Sequence, residues 1–460
     1  APTVASEGTD TLGIILDGIT AMKSILVFRS LALLLMATLV PLEILAQELD
    51  KPAPRHVIIC VDGVGFSTIT KMRAKGEFKM FHAPSRMIST FPSLTNAAMS
   101  EILEPAGATM TGGYEDNFFD TKANRMRGGI LDRFRSDRFV RGTFRELFDY
   151  HASALKSGLG YAAPPFSTYL ESLTDLIRLR QKARNSREAV FFAYTGGTDT
   201  LAHLGGETLL RSFLEELDDT VEDIIRDSKT PVVVTIFSDH GNDFRTYRRV
   251  ALKEPLRNAG FKLGSKLKDD QSVVLPQFGL VGSAVLFTRE KNEERLAEVL
   301  ATLDGVDFIT YEQGGVVSVV NRRGQATIEK SGNKYRYSAI KGDPLELLSI
   351  THGNGFIRDE DWFALTHAGA RPDVVRRIFE AATQGVLNRA NVIVNLEDGY
   401  YTGSFLLDTV TFLQATHGNI GQAQSYGFVM STRSELPPYI RAADLWQALG
   451  SARLRKREQK

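Results

Sequence analysis

Apolar and polar positions alternate along the chain in two textures. Near-continuous apolar runs, HVIICVDGVG (56–65), AVFFAYTGG (189–197) and PVVVTIFSDHG (231–241), each close on glycine and polar residues. That is the pattern of parallel strands buried on both faces, with their carboxyl ends left for functional side chains. Between the second and third runs, ETLLRSFLEELDDTVEDIIRD spaces its apolar residues at helical intervals, and strand, helix, strand predicts a βαβ crossover. From about residue 290 the texture changes. A helix, NEERLAEVLATL, precedes the β-like runs FITY, VVSVVNRRG and QATIEKSGNKYRYS, which predict an inserted hairpin-rich subdomain. The core is expected to resume at ANVIVNLEDGYYTGS (390–404), and GFVMSTRSELPPYIRAADLWQALG (427–450) predicts a last strand, a Pro-Pro loop and a closing helix. The expectation is an α/β fold, a doubly wound and mostly parallel sheet. Its core domain would occupy 47–289 and 390–460, with a smaller α+β subdomain inserted over 290–389.

Upstream of these runs, Met22 opens a segment that carries Lys23 and Arg29 and then LALLLMATLV, ending near Ile44-Leu45-Ala46. This is the order of a secretory signal. A leader is expected over 22–46, an upstream over-read over 1–21, and an exported protein, periplasmic or secreted. An anchor left uncleaved is the alternative, although the apolar span 25–40 is short of the about 20 residues a membrane helix takes. No other membrane span is expected. The basic tail RLRKREQK reads as a solvated, frayed end.

Composition narrows the function. With 460 residues, 43% hydrophobic and 24% charged, the chain can bury a large core. Lys and Arg together number 55 and so do Asp and Glu, which leaves no basic footprint for a nucleic-acid partner. The single cysteine, Cys60, reads as a small buried hydrophobe and excludes an intramolecular disulfide or a thiolate-rich metal cluster. Any metal is therefore held by histidine and carboxylate.

Four chain segments present such groups: Asp62 in VDGVG, Asp199 and His203 in GTDTLAH, Asp239 and His240 in SDHGN, and His417 in THGN. Asp199 and His203 are four residues apart, on one face of a helical turn, and Asp239 and His240 sit where a strand ends. Three carboxylates and three imidazoles make two ligand sets, and mixed N/O ligation without thiolate suits two divalent ions, best Zn²⁺. A second THGN places His352 as a rival to His417, but only His417 precedes a strand-like run near the carboxyl terminus. His56, His82, His151 and His367 read as ordinary surface or hydrogen-bonded residues. In STFPSLTNAAMSEIL an extended Pro-containing piece gives way to a helical pattern, so Thr95 falls at a helix N-terminus, where an anion is stabilised. Its hydroxyl is a weak nucleophile unless a cation activates it.

Together VDGVG, FPSLT, Tyr194 with GTDTLAH, SDHG and the late THG resemble the alkaline phosphatase superfamily, nearest its nucleotide pyrophosphatase/phosphodiesterase branch. The resemblance implies one metal held by Asp62, Asp239 and His240 with Thr95 on it, and a second held by Asp199, His203 and His417. It implies Thr95 as nucleophile through a phosphothreonine intermediate, Tyr194 at the leaving-group pocket, and a phosphoryl contact from Asp116 or Asn117, with Asn117 favoured. Gly197-Thr198-Asp199 stands where the superfamily has Glu-Pro-Asp, and Ala202 where it has Gly before the metal histidine. The Cys-x-Pro-x-Arg segment of a sulfatase is absent.

The expected activity is hydrolysis of a small-molecule phosphate ester. No Lys or Arg occurs in 87–108, 188–206, 231–244 or 411–432, and a monoester dianion normally needs a cation beyond the metals. A phosphodiester or nucleotide pyrophosphate is the favoured substrate, unless Arg86, Lys122 or Arg125 reaches in from a flank. Phosphomonoesterase and phosphonate hydrolase, with the same ligands, are the alternatives. A secreted binding protein with a degenerate site is the reading from a different class, and metal content separates it from an enzyme.

Overall fold

The computed structural model describes residues 56–128, 143–151, 165–277, 279–289, 291–350 and 355–450. The expected leader at 22–46, the stretch before it, His352 and the basic tail lie outside the described residues. No helix among the described residues is long and apolar enough to cross a membrane.

The three apolar runs build the middle of a seven-stranded sheet. Its order is Tyr439–Arg441, Ser85–Ile88, Tyr426–Ser431, Val233–Phe237, His56–Val61, Val190–Thr195 and Tyr150–His151. Neighbours are parallel except around Tyr426–Ser431, which runs antiparallel to both of its partners. The central strand shows why its sequence is continuously apolar. Val57, Ile59 and Val61 face helices Phe66–Ala74, Pro165–Asn185 and Gly197–Arg226, while Ile58 and Cys60 face helix Thr95–Leu103 and the closing helix Leu445–Ala448. Both faces are covered, so alternation by polarity has no place there. This is the doubly wound α/β architecture, and Cys60 is a fully buried member of its core.

The crossover helix starts earlier than its apolar spacing shows. It runs from Gly197 to Arg226, and Gly206 interrupts it at φ 70, ψ −172, a conformation glycine adopts at little cost. The turn carrying Asp199 and His203 is thereby set off from the longer amphipathic part.

A nine-stranded, largely antiparallel sheet forms a second layer. Its order is Ile357–Arg358, Lys334–Lys341, Gly324–Ser331, Val316–Asn321, Val306–Gln313, Val392–Leu396, Ser283–Thr288, Ser272–Val274 and Lys262–Leu263. The hairpins expected within 290–389 are there, but the sheet recruits strands from both sides of that range. Val392–Leu396, expected to rejoin the first sheet, instead pairs with Ser283–Thr288 and Val306–Gln313. An apolar run buried on both faces suits either sheet, and its partners are fixed by the chain path and not by its own residues. Only from Tyr426 does the chain return to the first sheet.

The two layers meet at the segment that leads into Thr95. Phe91, Leu94 and Ala97 share one buried cluster with Phe308, Val317, Val319, Trp362 and Ile378 of the second layer, whereas Met99, Ile102 and Leu103 of the same helix pack on the first sheet.

Leu214 is fully buried in the helix face that packs on the first sheet. Leu214→Ala is expected to lower unfolding free energy by about 3 kcal/mol, the usual cost of such a cavity. Urea denaturation measures it, and a loss below about 1 kcal/mol would mean that this face is not packed.

Candidate metal centre

Every polar group singled out at a strand end comes to the carboxyl edge of the first sheet. Asp62 follows the strand His56–Val61, Asp239 and His240 follow Val233–Phe237, and Asp199 and His203 lie in the first turns of the helix after Val190–Thr195. Thr95 is the first residue of its helix, and His417 sits in the loop before Tyr426–Ser431, held by a bridge between Asp243 and Thr416. Open parallel sheets concentrate sites at this edge because the strands end there and the chain turns.

The side chains assemble as two triads. Ligand atoms of Asp62, Asp239 and His240 lie within 4.8 Å of one another, and so do those of Asp199, His203 and His417. In the first, His240 Nε2 is 3.4 Å from Asp62 Oδ1 and 3.7 Å from Asp239 Oδ2. In the second, Asp199 Oδ1 is 3.3 Å from His203 Nε2 and 3.6 Å from His417 Nε2. The triads abut through the rings of His240 and His417, stacked with centroids 4.0 Å apart. Thr95 Oγ1 belongs to the first, donating to Asp62 Oδ1 at 3.2 Å and lying 3.2 Å from His240 Nε2.

A surrounding set of hydrogen bonds orients these groups. Nδ1 of His417 donates to the Ser93 carbonyl at 2.8 Å and Nδ1 of His240 to the Gly241 carbonyl at 3.0 Å. A carbonyl can only accept, so Nδ1 of each ring carries a hydrogen and Nε2 faces the triad. Asn242 Nδ2 bridges Asp199 Oδ1 and the Gly63 carbonyl, and the Gly63 N–H donates to Asp239 Oδ1. Gly63 has φ +66, and a Cβ there would come within 2.6 Å of both Asn242 and Asp199. Thr198 donates to the carbonyl of Asp62 at 2.6 Å.

The donor chemistry fits divalent cations. Asp239 and His240 are fully buried, and Asp239 Oδ2 accepts no hydrogen bond among the described residues. Burial pushes the Asp239 carboxyl upward. Burial also opposes charge on His240, but Asp239 and Asp62 outweigh it and raise the imidazole to about 10. On the other side, burial and the neighbouring His240 push His417 down to about 3, while His203 and His417 overcome burial and hold Asp199 well below the usual carboxylate range. Anionic carboxylates this deep need compensating charge, and mixed carboxylate–imidazole sets are what Zn²⁺ takes.

The remaining sequence candidates are differently placed. Tyr194 hydrogen-bonds through its hydroxyl to Asp62 Oδ2 and stacks its ring on Phe148 at 5.1 Å. Burial and then Asp62 push that hydroxyl well above its ordinary pKa, so it stays a donor. Of the pair Asp116 and Asn117, Asp116 is the residue tied to the Thr95 helix: its Oδ1 accepts from Asn96 at 3.4 Å and from Arg145 at 3.2 Å. Asn117, the favoured one, opens the strand Asn117–Asp120, where it pairs with Gly128. Among the other histidines, His56 bonds Thr235 at 2.8 Å inside the core, His367 bonds the Phe363 carbonyl, and His82 and His151 are exposed. Gly63, Thr198 and Asn242 flank the motifs and were within reach of sequence reasoning. Arg145 and Phe148 were not, because nothing in 143–148 marks them. Beside the second triad a cleft of about 570 Å³ is lined by Gly206, Arg245, Tyr247, Tyr401, Phe412 and Gln414, and the Gln414 N–H donates to the His203 carbonyl.

No protein-family model matches the chain, and no curated protein does. Among solved structures, the chain is similar to human ectonucleotide pyrophosphatase/phosphodiesterase 5, with a TM-score of 0.48 and 12% identity over 86% of this chain and 93% of that one. It is similar also to phosphonoacetate hydrolase from Sinorhizobium meliloti in complex with phosphonoformate, with a TM-score of 0.48 and 13% identity over 87% of this chain and 96% of that one. For the murine ectonucleotide pyrophosphatase/phosphodiesterase 5 the values are 0.45 and 12%, over 86% and 94%.

His417→Ala is expected to lower bound metal, measured by elemental analysis after dialysis, far more than His352→Ala. Losing one of three ligands opens the second triad. The reverse ranking would give the ligand role to His352. Gly63→Ala is expected to deplete metal as well, because its Cβ displaces the Asn242–Asp199 contact, and wild-type metal content in that variant would show the close approach to be dispensable.

Proposed function

We propose that this protein is an exported di-metal hydrolase of phosphoric esters that works through Thr95. The observation that carries the reading is the Thr95 hydroxyl, 3.2 Å from both Asp62 Oδ1 and His240 Nε2, with the second triad alongside. Divalent cations in the two triads supply positive charge for phosphoryl oxygens and make a hydroxyl or water nucleophilic at neutral pH.

The protein groups divide the remaining work. Thr95 Oγ attacks phosphorus as the bond to the leaving oxygen breaks, and the departing alcohol takes up a proton. Water then cleaves the Oγ–phosphorus bond, its oxygen staying on phosphate and its protons restoring the threonine hydroxyl and leaving to solvent. The Thr95 helix has no side-chain cap and no acidic residue in its first turn, so its free backbone N–H groups are available to phosphoryl oxygens. Tyr194 holds Asp62 in place through its hydroxyl, and its ring with Phe148 forms an aromatic wall beside the first triad, suited to an aryl or nucleobase group.

Charge favours a diester. Arg145 lies 3.2 Å from Asp116 Oδ1, whose carboxylate offsets its charge. The pair adds no net positive charge for the second negative charge of a monoester. Arg145 also motivates the second reading, a phosphomonoesterase or phosphonate hydrolase, in which a dianion draws the guanidinium from Asp116.

Thr95→Ala is expected to keep both metals and the fold while kcat falls by about a thousandfold or more. Activity within about tenfold of wild type would remove Thr95 from the nucleophile role. Hydrolysis of bis-p-nitrophenyl phosphate is expected to exceed that of p-nitrophenyl phosphate in kcat/KM. If the monoester is preferred, and Arg145→Ala abolishes that preference, the second reading replaces the first.

A further inference from the structure

We propose that Arg377, in the second layer, is a positioning residue that sets Thr95 and His417 relative to one another. The proposal rests on the reading of these two residues as nucleophile and metal ligand.

Arg377 lies on the helix Val374–Thr383, on the face otherwise made of Val374, Val375, Ile378 and Phe379, and is only 5% exposed. A guanidinium on an apolar helix face is costly unless its donors are satisfied. Here they reach three chain segments. Nη2 donates to the Thr90 carbonyl at 2.7 Å, to Ser93 Oγ at 3.1 Å and to Ser425 Oγ at 2.8 Å. Nη1 donates to the Pro372 carbonyl at 2.9 Å and to the Ile420 carbonyl at 3.3 Å. Among the described residues it forms no ion pair, and its two Nη groups donate to backbone carbonyls and hydroxyls, while Nε has no hydrogen-bond partner there. Burial lowers its pKa to about 10, with Asp373 and Glu101 opposing, and it stays a cation at neutral pH.

Those acceptors are where the two functional segments cross. Ser93 is two residues before Thr95, and its carbonyl takes the Nδ1 hydrogen of His417 at 2.8 Å. The Ser93 N–H donates to the Gly418 carbonyl at 3.3 Å, and Ser93 Oγ donates to the Asn419 carbonyl at 2.9 Å. Ser425 Oγ in turn donates to the Ile420 carbonyl. A single planar group therefore ties the approach to the nucleophile to the loop carrying the second-triad histidine. Lysine presents its donors at one point and cannot span acceptors this far apart. Misplacing a reacting oxygen or a ligand nitrogen by an ångström costs rate without changing what the substrate touches.

The test uses the full, zinc-loaded chain with Arg377→Lys, Ser93→Ala and Ser425→Ala. In the folded Arg377→Lys protein, kcat for a phosphate ester is expected to fall at least about tenfold with KM within about threefold. Zinc loss to a chelator, followed by a colorimetric indicator, should speed up by a similar factor for one of the two ions. The serine variants should show the same two changes to a smaller degree. A merely structural bolt would lower Tm and leave kcat per folded molecule and the rate of zinc loss as in wild type, and that result overturns the proposal. If Arg377→Lys does not fold, unchanged kcat and zinc loss in both serine variants overturn it equally. Should the wild type hydrolyse no phosphate ester, the function proposed above fails, and the zinc-loss arm still decides whether Arg377 places His417.

Discussion

Three carboxylates and three imidazoles are gathered at one edge of a sheet, where Asp239 and His240 are wholly out of water. Burial there disfavours each charge by itself, and the groups tolerate it only as an ensemble in which anion and cation face one another. The rest of the architecture serves that constraint. Parallel strands bring three carboxyl ends side by side, the Gly206 break sets the Asp199–His203 turn apart, and Gly63 leaves room for Asn242 to hold Asp199. Carbonyls of Ser93 and Gly241 fix both stacked imidazoles with Nε2 inward.

The second layer bears on the chemistry from behind. It closes over Phe91, Leu94 and Ala97, so the helix that begins with Thr95 is packed on two sides by different sheets. A hydroxyl at the start of such a helix is held by rigid elements and not by a mobile loop, which is what precise placement demands. Phe148, buried in the core of the first sheet, backs Tyr194 beside the first triad.

Much of this was legible in contiguous residues. Asp62, Asp199, His203, Asp239, His240 and His417 stand in short motifs at predicted strand ends, and local periodicity found the strands and helices that carry them. The strand at Val392–Leu396 shows the limit. Its apolar pattern announces a buried strand but not which sheet it joins, because pairing depends on where distant segments run. Asp116 and Asn117 show it at the site, since only the approach of Asn96 and Arg145 distinguishes one from the other.

By itself, the sequence determined the element types, the α/β class and the ligand chemistry, because period, turn residues and donor spacing are written over a few neighbouring positions. Tertiary structure alone decided that the two triads abut through His240 and His417, that Phe148 backs Tyr194, and that Arg377 reaches Thr90, Ser93 and Ser425. Those contacts join residues up to hundreds of positions apart, and the free energy that selects them is the burial of both layers at once, which no local window contains.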